Sequence, residues 1–440
     1  MKISVSGVRG IYGGDLDLHQ ISRLTRLFAS SFIKPEGNCL LARDTRPSGR
    51  IIVQTVLANL MERGINVYYL NVAPTPMVFR EARKYDAGFI VTASHNPMNW
   101  NGLKFIIKAR GIFEGELDFM LRNDTSSLSS IDKFGNSFDA VSDYVDEVAE
   151  LISKSDQNNN TVKVGLDPGG GAASGYVDQL FEKLGHKFYC INDINESSSR
   201  GPDPTADSLS ELCMLVKTSH LDFGFAFDLD GDRLVVVNNK GEKLNPDITL
   251  LICVAGALNL GMRKFVTSID TSICIEKLVE QYGGKLDYSK VGEANVVNKM
   301  IEVNADAGGE GSSAGFIMPK FNMCRDGFLA SATISSLNRK VVEDCLQFAS
   351  QYVQIRSKIV VDSSLHMKLI DKLYENFKKE SSEMLSIDGL KLVMDESWAL
   401  IRPSNTEHAI RISVESKKNG IQSLYKKISE KVQLAYEQIK

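Results

Sequence analysis

The sequence predicts an α/β protein of three related mixed units followed by a smaller C-terminal α+β unit. Three observations lead there. An apolar strand ending in Asp, a loop of small residues, a helix closed by Gly and a second strand recur three times along the 440 residues. Strands alternating with helical spacing are the pattern of βαβ units, which pack as layers of helix on sheet. After Gln354 the order changes to strand, helix, several strands and a terminal helix. The chain is also too long for one ordinary core, which asks for several domains.

The first copy runs from residues 40–44 (Leu-Leu-Ala-Arg-Asp) to 64–69 (Gly-Ile-Asn-Val-Tyr-Tyr). The second runs from 162–167 to 185–189, the third from 265–270 to 283–286. In each, the Gly stands where a helix ends in a left-handed residue. Residues 139–154 read as a connecting helix, and 155–160 (Ser-Asp-Gln-Asn-Asn-Asn) as a polar linker. A second break falls near Lys243 to Pro246. The expected units are therefore 1–154, 155–245, 246–354 and 355–440. In the last, helices are expected over 365–379 and 421–439. The most apolar run, 248–262, is interrupted by Asn259 and is too short to span a bilayer, so it reads as a core helix.

A net charge of −4 leaves no electrostatic footprint for nucleic acid. Seven scattered cysteines, at 39, 190, 213, 253, 274, 324 and 345, show no Cys-x-x-Cys, which favours reduced thiols in a cytoplasmic setting over a disulfide scaffold or zinc site. The first residues carry no secretory apolar segment. A soluble monomer or homodimer without membrane partners is the expectation.

Four clusters carry chemistry. Thr92-Ala93-Ser94-His95-Asn96-Pro97 follows an apolar strand and delivers a hydroxyl to its carboxyl end, with Lys104 ten residues on. No Gly-x-Ser-x-Gly surrounds Ser94, so it is not a hydrolase elbow. Asp228-Leu229-Asp230-Gly231-Asp232-Arg233 lies between two apolar runs. Its alternate carboxylates can converge on one hard cation such as Mg2+, with Arg233 placed to hold a phosphate oxygen. An EF-hand loop would need Gly and Glu where Arg233 and Asn239 stand. Gly308-Gly309-Glu310-Gly311-Ser312-Ser313 offers a carboxylate and two hydroxyls to sugar hydroxyls. Arg402-Pro403-Ser404-Asn405-Thr406-Glu407, with Arg411, makes a phosphate cradle. A competing signal, Gly169-Gly170-Gly171 after a strand with Asp193 ending the next, mimics a dinucleotide fingerprint, but Asp167-Pro168 is foreign to it and no hydride-transfer set accompanies it.

The order Gly7-Val8-Arg9-Gly10, Thr92 to Pro97, Asp228 to Arg233, Gly308 to Ser312 and Arg402 to Thr406 resembles the α-D-phosphohexomutases over nearly the whole chain. Supporting segments, including 42–49, 73–76, Lys290-Val291-Gly292 and Arg325-Asp326-Gly327, resemble archaeal-type members. The resemblance implies four domains around a central cleft, the last one mobile. It implies a phosphorylated Ser94, and one Mg2+ held by Asp228, Asp230, Asp232 and a phosphate oxygen on Ser94. Arg233 would neutralise the transferring phosphoryl group and His95 would support the serine loop. Lys104 and Arg9 match acid/base positions; Lys290, Glu310 and Ser312 match sugar-binding positions. Arg402, Ser404, Asn405, Thr406 and Arg411 would anchor the non-reacting phosphate. The implied reaction interconverts hexose 6- and 1-phosphates through a 1,6-bisphosphate, which also serves as activator. Glucosamine phosphate is favoured, with mannose or glucose phosphate as alternatives; a phosphosugar phosphatase or a non-catalytic sensor are readings of another class. Two positions depart from the family pattern: Ala314 stands where many relatives have His, and His408 where Pro is usual.

Overall fold

The computed structural model describes residues 1–123, 133–154, 161–378, 383–404 and 408–440. The strands Ala87–Val91, Phe223–Phe227 and Leu234–Asn238 are buried at every position. Strands covered on both faces read as unbroken apolar runs, because neither face meets water.

Three sheets share one order. Side by side lie Asn66–Val72, Asn38–Arg43, Ala87–Val91 and Trp100–Ile107 in the first. Lys187–Cys190, Lys163–Asp167, Phe223–Phe227 and Leu234–Asn238 follow the same order in the second, and Lys285–Ser289, Lys264–Ser268, Ala307–Glu310 and Gly315–Ile317 in the third. In each, the first three strands are parallel and the fourth is antiparallel. The first sheet grows to eight strands by additions that include Gly7–Ile11, which pairs with Trp100–Ile107. The turn from third to fourth strand is thus an equivalent place in all three. It holds Ser94 in one sheet, the three aspartates in the next, and the end of Glu310 to Ala314 in the last. These turns leave the carboxyl ends of parallel strands, where open α/β sheets bind ligands.

The glycines expected to close the helices do so. Gly64, Gly185 and Gly283 follow the helices Gly49–Glu62, Val177–Lys183 and Ile273–Gln281 with φ of 74°, 72° and 69°. Their amides return to carbonyls of Met61, Glu182 and Glu280. A Cβ would be strained in that conformation.

The apolar run near 248–262 forms the helix Pro246–Asn259, capped by the Asn245 side chain and buried over most of its length. At about 1.5 Å per residue it falls short of the ~30 Å of a bilayer core. No helix among the described residues is long and apolar enough to cross a membrane.

The C-terminal sheet is antiparallel throughout, in the order Tyr352–Val360, Ala409–Lys417, Ser397–Pro403, Leu390–Met394, Glu383–Leu385. Helices His366–Phe377 and Ile421–Ile439 pack with its apolar core. Two helix starts differ from expectation. The segment 139–154 yields a helix only over Tyr144–Ser153, because Ser137–Asp139 is a strand paired with Asn66–Val72, and the Ser142 hydroxyl then accepts the Tyr144 amide at 3.1 Å. Before His366, Asp362 caps a separate short turn, Ser363–Leu365. The expected linker 155–160 and Lys379 lie outside the described residues.

The C-terminal unit meets the third sheet through buried polar contacts. Glu415 accepts from the Ser272 hydroxyl (2.6 Å), the Ile273 amide (2.7 Å) and the Trp398 indole (2.5 Å). Lys391 donates to the Ile269 carbonyl at 2.9 Å and lies over the rings of Tyr288 and Trp398. Burial pushes the Lys391 ammonium down to about 8, against the pull of Glu276, Glu415 and Asp270. The unfolded chain therefore holds a proton at this position that the folded protein has lost between about pH 8 and 10.5. Folding stability should rise with pH across that window and be lost as pH falls through about 8. The full effect is on the order of 3 kcal/mol. Calorimetry of Lys391→Met is expected to show a flatter midpoint-versus-pH curve from 8 to 10.5; an unchanged slope would exclude Lys391 as its source.

Candidate active site

Ser94 is fully buried, with φ of 50°. Its left-handed backbone is held by its own amide, which donates to the Thr92 hydroxyl at 2.8 Å. Arg46 fixes the rest of the turn. Its guanidinium pairs with Asp44 (3.0 Å) and donates to the carbonyls of Ser94 (2.6 Å), Asn96 (2.6 Å), Trp100 (2.9 Å) and Pro97. Asp44 also accepts from Thr92 at 2.6 Å. The Ser94 hydroxyl thus reaches Asp228 Oδ2 at 3.1 Å and His95 Nδ1 at 3.2 Å. The far nitrogen of His95 lies 3.4 Å from Arg233. Burial and the guanidiniums of Arg233 and Arg9 push His95 down to about 3, so its ring is neutral.

The acidic turn is closed by Gly231, whose φ is 71° and whose amide returns to the Asp228 carbonyl at 3.0 Å. All three aspartates are fully buried, and one oxygen of each lies within 4.8 Å of the others. Lys104 spans Asp230 and Asp232 at 2.9 Å each, Arg325 reaches Asp232 at 2.8 Å, and the Thr75 hydroxyl donates to Asp230 at 2.7 Å. Burial raises the Asp228 carboxyl well above its usual range, with Asp232 and Asp230 adding to the effect. Burial opposes ionisation of the other two as well, but Lys104 and Thr75 on Asp230, and Arg325 and Lys104 on Asp232, hold both below their usual range. The same pairing raises Lys104, overcoming its burial. One oxygen each of Asp230 and Asp232 is buried without a hydrogen-bond partner. Orphaned carboxylate oxygens converging in a buried turn fit a hard divalent cation.

A cavity of about 380 Å³ opens beside these turns. Arg9, His95, Lys104 and Arg233 line it, with Glu293, Glu310, Ser312 and Arg325. Arg9 also donates to Asn96 at 3.1 Å. Glu310 ends its strand and accepts the Gly292 amide at 2.7 Å; burial raises its carboxyl, Arg325 opposing. Ala314, where many relatives have His, has φ of 54° and turns its methyl into an apolar cluster with Leu212 and Val235. Lys290 differs from expectation: it stands one residue beyond its strand, is exposed, and does not line the cavity, while Val291 and Gly292 do.

A second cavity, of about 490 Å³, shares Val291 and Ser312 with the first. Arg356, Lys358, Arg402 and Arg411 line it. Arg402 and Arg411 are direct cross-strand partners, as are Lys358 and Arg411, so strand register gathers the cations. Ser404 is buried and its amide donates to Ala409; Asn405 and Thr406 lie outside the described residues. His408 contacts the Ser363 hydroxyl at 2.9 Å. The two cavities together can receive a molecule anionic at both ends. The triglycine loop serves packing instead: a Cβ on Gly171 would come within 2.5 Å of the Leu229 carbonyl, under the acidic turn.

Residues 1–129, 142–241 and 245–352 match in turn the α/β/α domains I, II and III of phosphoglucomutase/phosphomannomutase. The phosphoglucosamine/phosphogalactosamine mutase of Sulfurisphaera tokodaii is 31% identical over 434 residues, covering 94% of this chain and 95% of its own. The chain belongs to the phosphoglucomutase/phosphomannomutase family. A probable phosphoglucosamine mutase of Methanothermobacter thermautotrophicus is 30% identical over 94% of this chain and 93% of its own. An X-ray structure of a phosphoglucomutase/phosphomannomutase family protein from Burkholderia thailandensis shares the fold, with a TM-score of 0.86 at 24% identity over 99% of this chain and 98% of that one. The N-acetylphosphoglucosamine mutase of Aspergillus fumigatus, solved in complex with GlcNAc-6P and magnesium, gives 0.56 at 12% identity over 91% and 82%.

Arg46, Thr75, Glu293 and Arg325 have no role assigned from sequence. Arg46, Thr75 and Arg325 fall in segments already noted there; Glu293 carries no signal beyond its neighbours.

Proposed function

We propose that the protein is a hexose phosphate mutase acting through a phosphoserine at Ser94, with glucosamine phosphate as preferred substrate. The observation that carries this reading is the meeting of three equivalent turns at one cavity, with the Ser94 hydroxyl 3.1 Å from the acidic turn. The names of the family relatives support the amino sugar. One Mg2+ per chain, held by Asp228, Asp230, Asp232 and a phosphate oxygen on Ser94, would neutralise charge on the phosphoryl group.

Around that charge the chain's own residues position and exchange protons. Arg233 and Arg9 face the phosphoryl group, and neutral His95 orients the serine side chain. The P–O bond to Ser94 breaks as a bond to a sugar hydroxyl forms; the hydroxyl proton passes to a base and the departing Ser94 oxygen takes up a proton. Lys104 is charged while it pairs with Asp230 and Asp232. Engaging those carboxylates elsewhere removes the partners that keep it so, which frees it for proton transfer, with Arg9 beside it. The resulting 1,6-bisphosphate reorients and returns its other phosphoryl group to Ser94. Glu310 and Ser312 take the sugar hydroxyls. Arg402, Ser404, Asn405, Thr406 and Arg411 anchor the distal phosphate. The proposal includes four units, 1–154, 155–245, 246–354 and 355–440, hexose 1,6-bisphosphate as activator, and a cytoplasmic monomer or homodimer.

A coupled assay on glucosamine 6-phosphate tests the reading. Isomerised monophosphate is expected, lost with chelator and restored by Mg2+ with a trace of bisphosphate. Free phosphate as the product would make the protein a phosphatase, and binding without turnover a sensor.

A further inference from the structure

The cavity lining carries charges of both signs. Arg9, Lys104, Arg233 and Arg325 line the cavity together with Glu293 and Glu310. The Arg325 guanidinium is divided among three carboxylates: Asp232 at 2.8 Å, Glu293 at 3.1 Å and Glu310 at 3.4 Å. Lys104 is committed to Asp230 and Asp232. Asp232, Glu293 and Glu310 therefore share one guanidinium and part of one ammonium. Glu310 is 3% exposed and its two oxygens accept from Gly292, Ser313 and Arg325. Glu293 is more open, its side chain 16% exposed, at the start of the helix Glu293–Val303. Its Oε2 accepts the Arg325 amide at 3.1 Å, and no described residue is bonded to its Oε1.

We infer that Glu293 is the specificity-determining residue that selects a sugar phosphate bearing a primary ammonium over its hydroxyl counterpart. A phosphate suits the guanidiniums of the lining and an ammonium suits Glu293, so a zwitterionic amino sugar phosphate complements both signs. A hydroxyl in place of the ammonium can hydrogen-bond to Glu293 but leaves the carboxylates that share Arg325 without a further cation. Arg325 positions the carboxylate by holding Oε2, which leaves Oε1 to the ligand. This role rests on the cavity receiving the sugar phosphates proposed above.

The test is titration calorimetry of the full chain with glucosamine 6-phosphate and glucose 6-phosphate, which needs no turnover. The parent is expected to favour the amino sugar. Glu293→Gln is expected to lose at least about tenfold more affinity for glucosamine 6-phosphate than for glucose 6-phosphate, while Glu293→Asp, which keeps the charge, retains the preference. Equal losses for the two ligands in Glu293→Gln, or a parent without preference, would overturn the inference. Failure of the mutase reading shows separately, as absent isomerisation with both sugars, and leaves the binding ratio to decide on Glu293.

Discussion

Ser94→Ala is expected to abolish mutase turnover, by at least about a thousandfold, because no other group can carry the phosphoryl between the two half-reactions. The change removes one buried oxygen whose contacts are Asp228 and His95, and leaves the backbone bonds from Arg46 and Thr92 intact. The fold should persist, so the loss is one of chemistry. Intact-mass spectra of parent and variant after incubation with hexose 1,6-bisphosphate read the same event directly: a phosphate on the parent and none on the variant. Full activity in Ser94→Ala would sink the covalent route, and a phosphate retained on the variant would place it elsewhere.

The second large effect falls on a residue that touches no substrate. Arg46 is fully buried and makes five side-chain contacts that draw Asp44 and four carbonyls of the serine loop together. Arg46→Ala leaves Asp44 charged and buried with only Thr92 and a backbone amide to stabilise it, and strands the carbonyls. Losing one partner of a buried ion pair costs about 3–5 kcal/mol. Urea unfolding is expected to show a loss of that size, with activity falling alongside. Arg46→Lys keeps the charge but has no planar fork, so it should recover only part of the loss. A stability within about 1 kcal/mol of the parent in Arg46→Ala would exclude the clamp.

What the sequence conveys about this site follows from the range of each interaction. Ser94 and the three aspartates are legible because a turn leaving an apolar strand is a local pattern, and spacing of two places alternate carboxylates on one side. The three βαβ units are legible for the same reason, through runs bounded by Asp and Gly. Arg46 acts across 48 residues, and Thr75 across 155. Nothing near either position announces the partner. Lys290 shows the converse: a motif match one residue past a strand end does not fix which way the side chain leaves, and it leaves toward solvent. The phosphate loop is only partly open to comparison, since Arg402 and Arg411 meet through strand register while Asn405 and Thr406 lie outside the described residues.

The equivalence of the three turns has a mechanical side. Each reactive corner sits at the tip of a hairpin rooted in its own sheet, so every sheet acts as a lever with the chemistry at its end. A five-residue strand is roughly 17 Å long, and tilting it by about 3° at its root displaces the tip by about 1 Å, an error that can cost about a hundredfold in rate. The joints between sheets, such as the Thr75 amide on the Asp230 carbonyl at 2.8 Å, therefore hold the alignment of the machine. Substitutions at those joints should detune the enzyme while every reactive side chain stays in place.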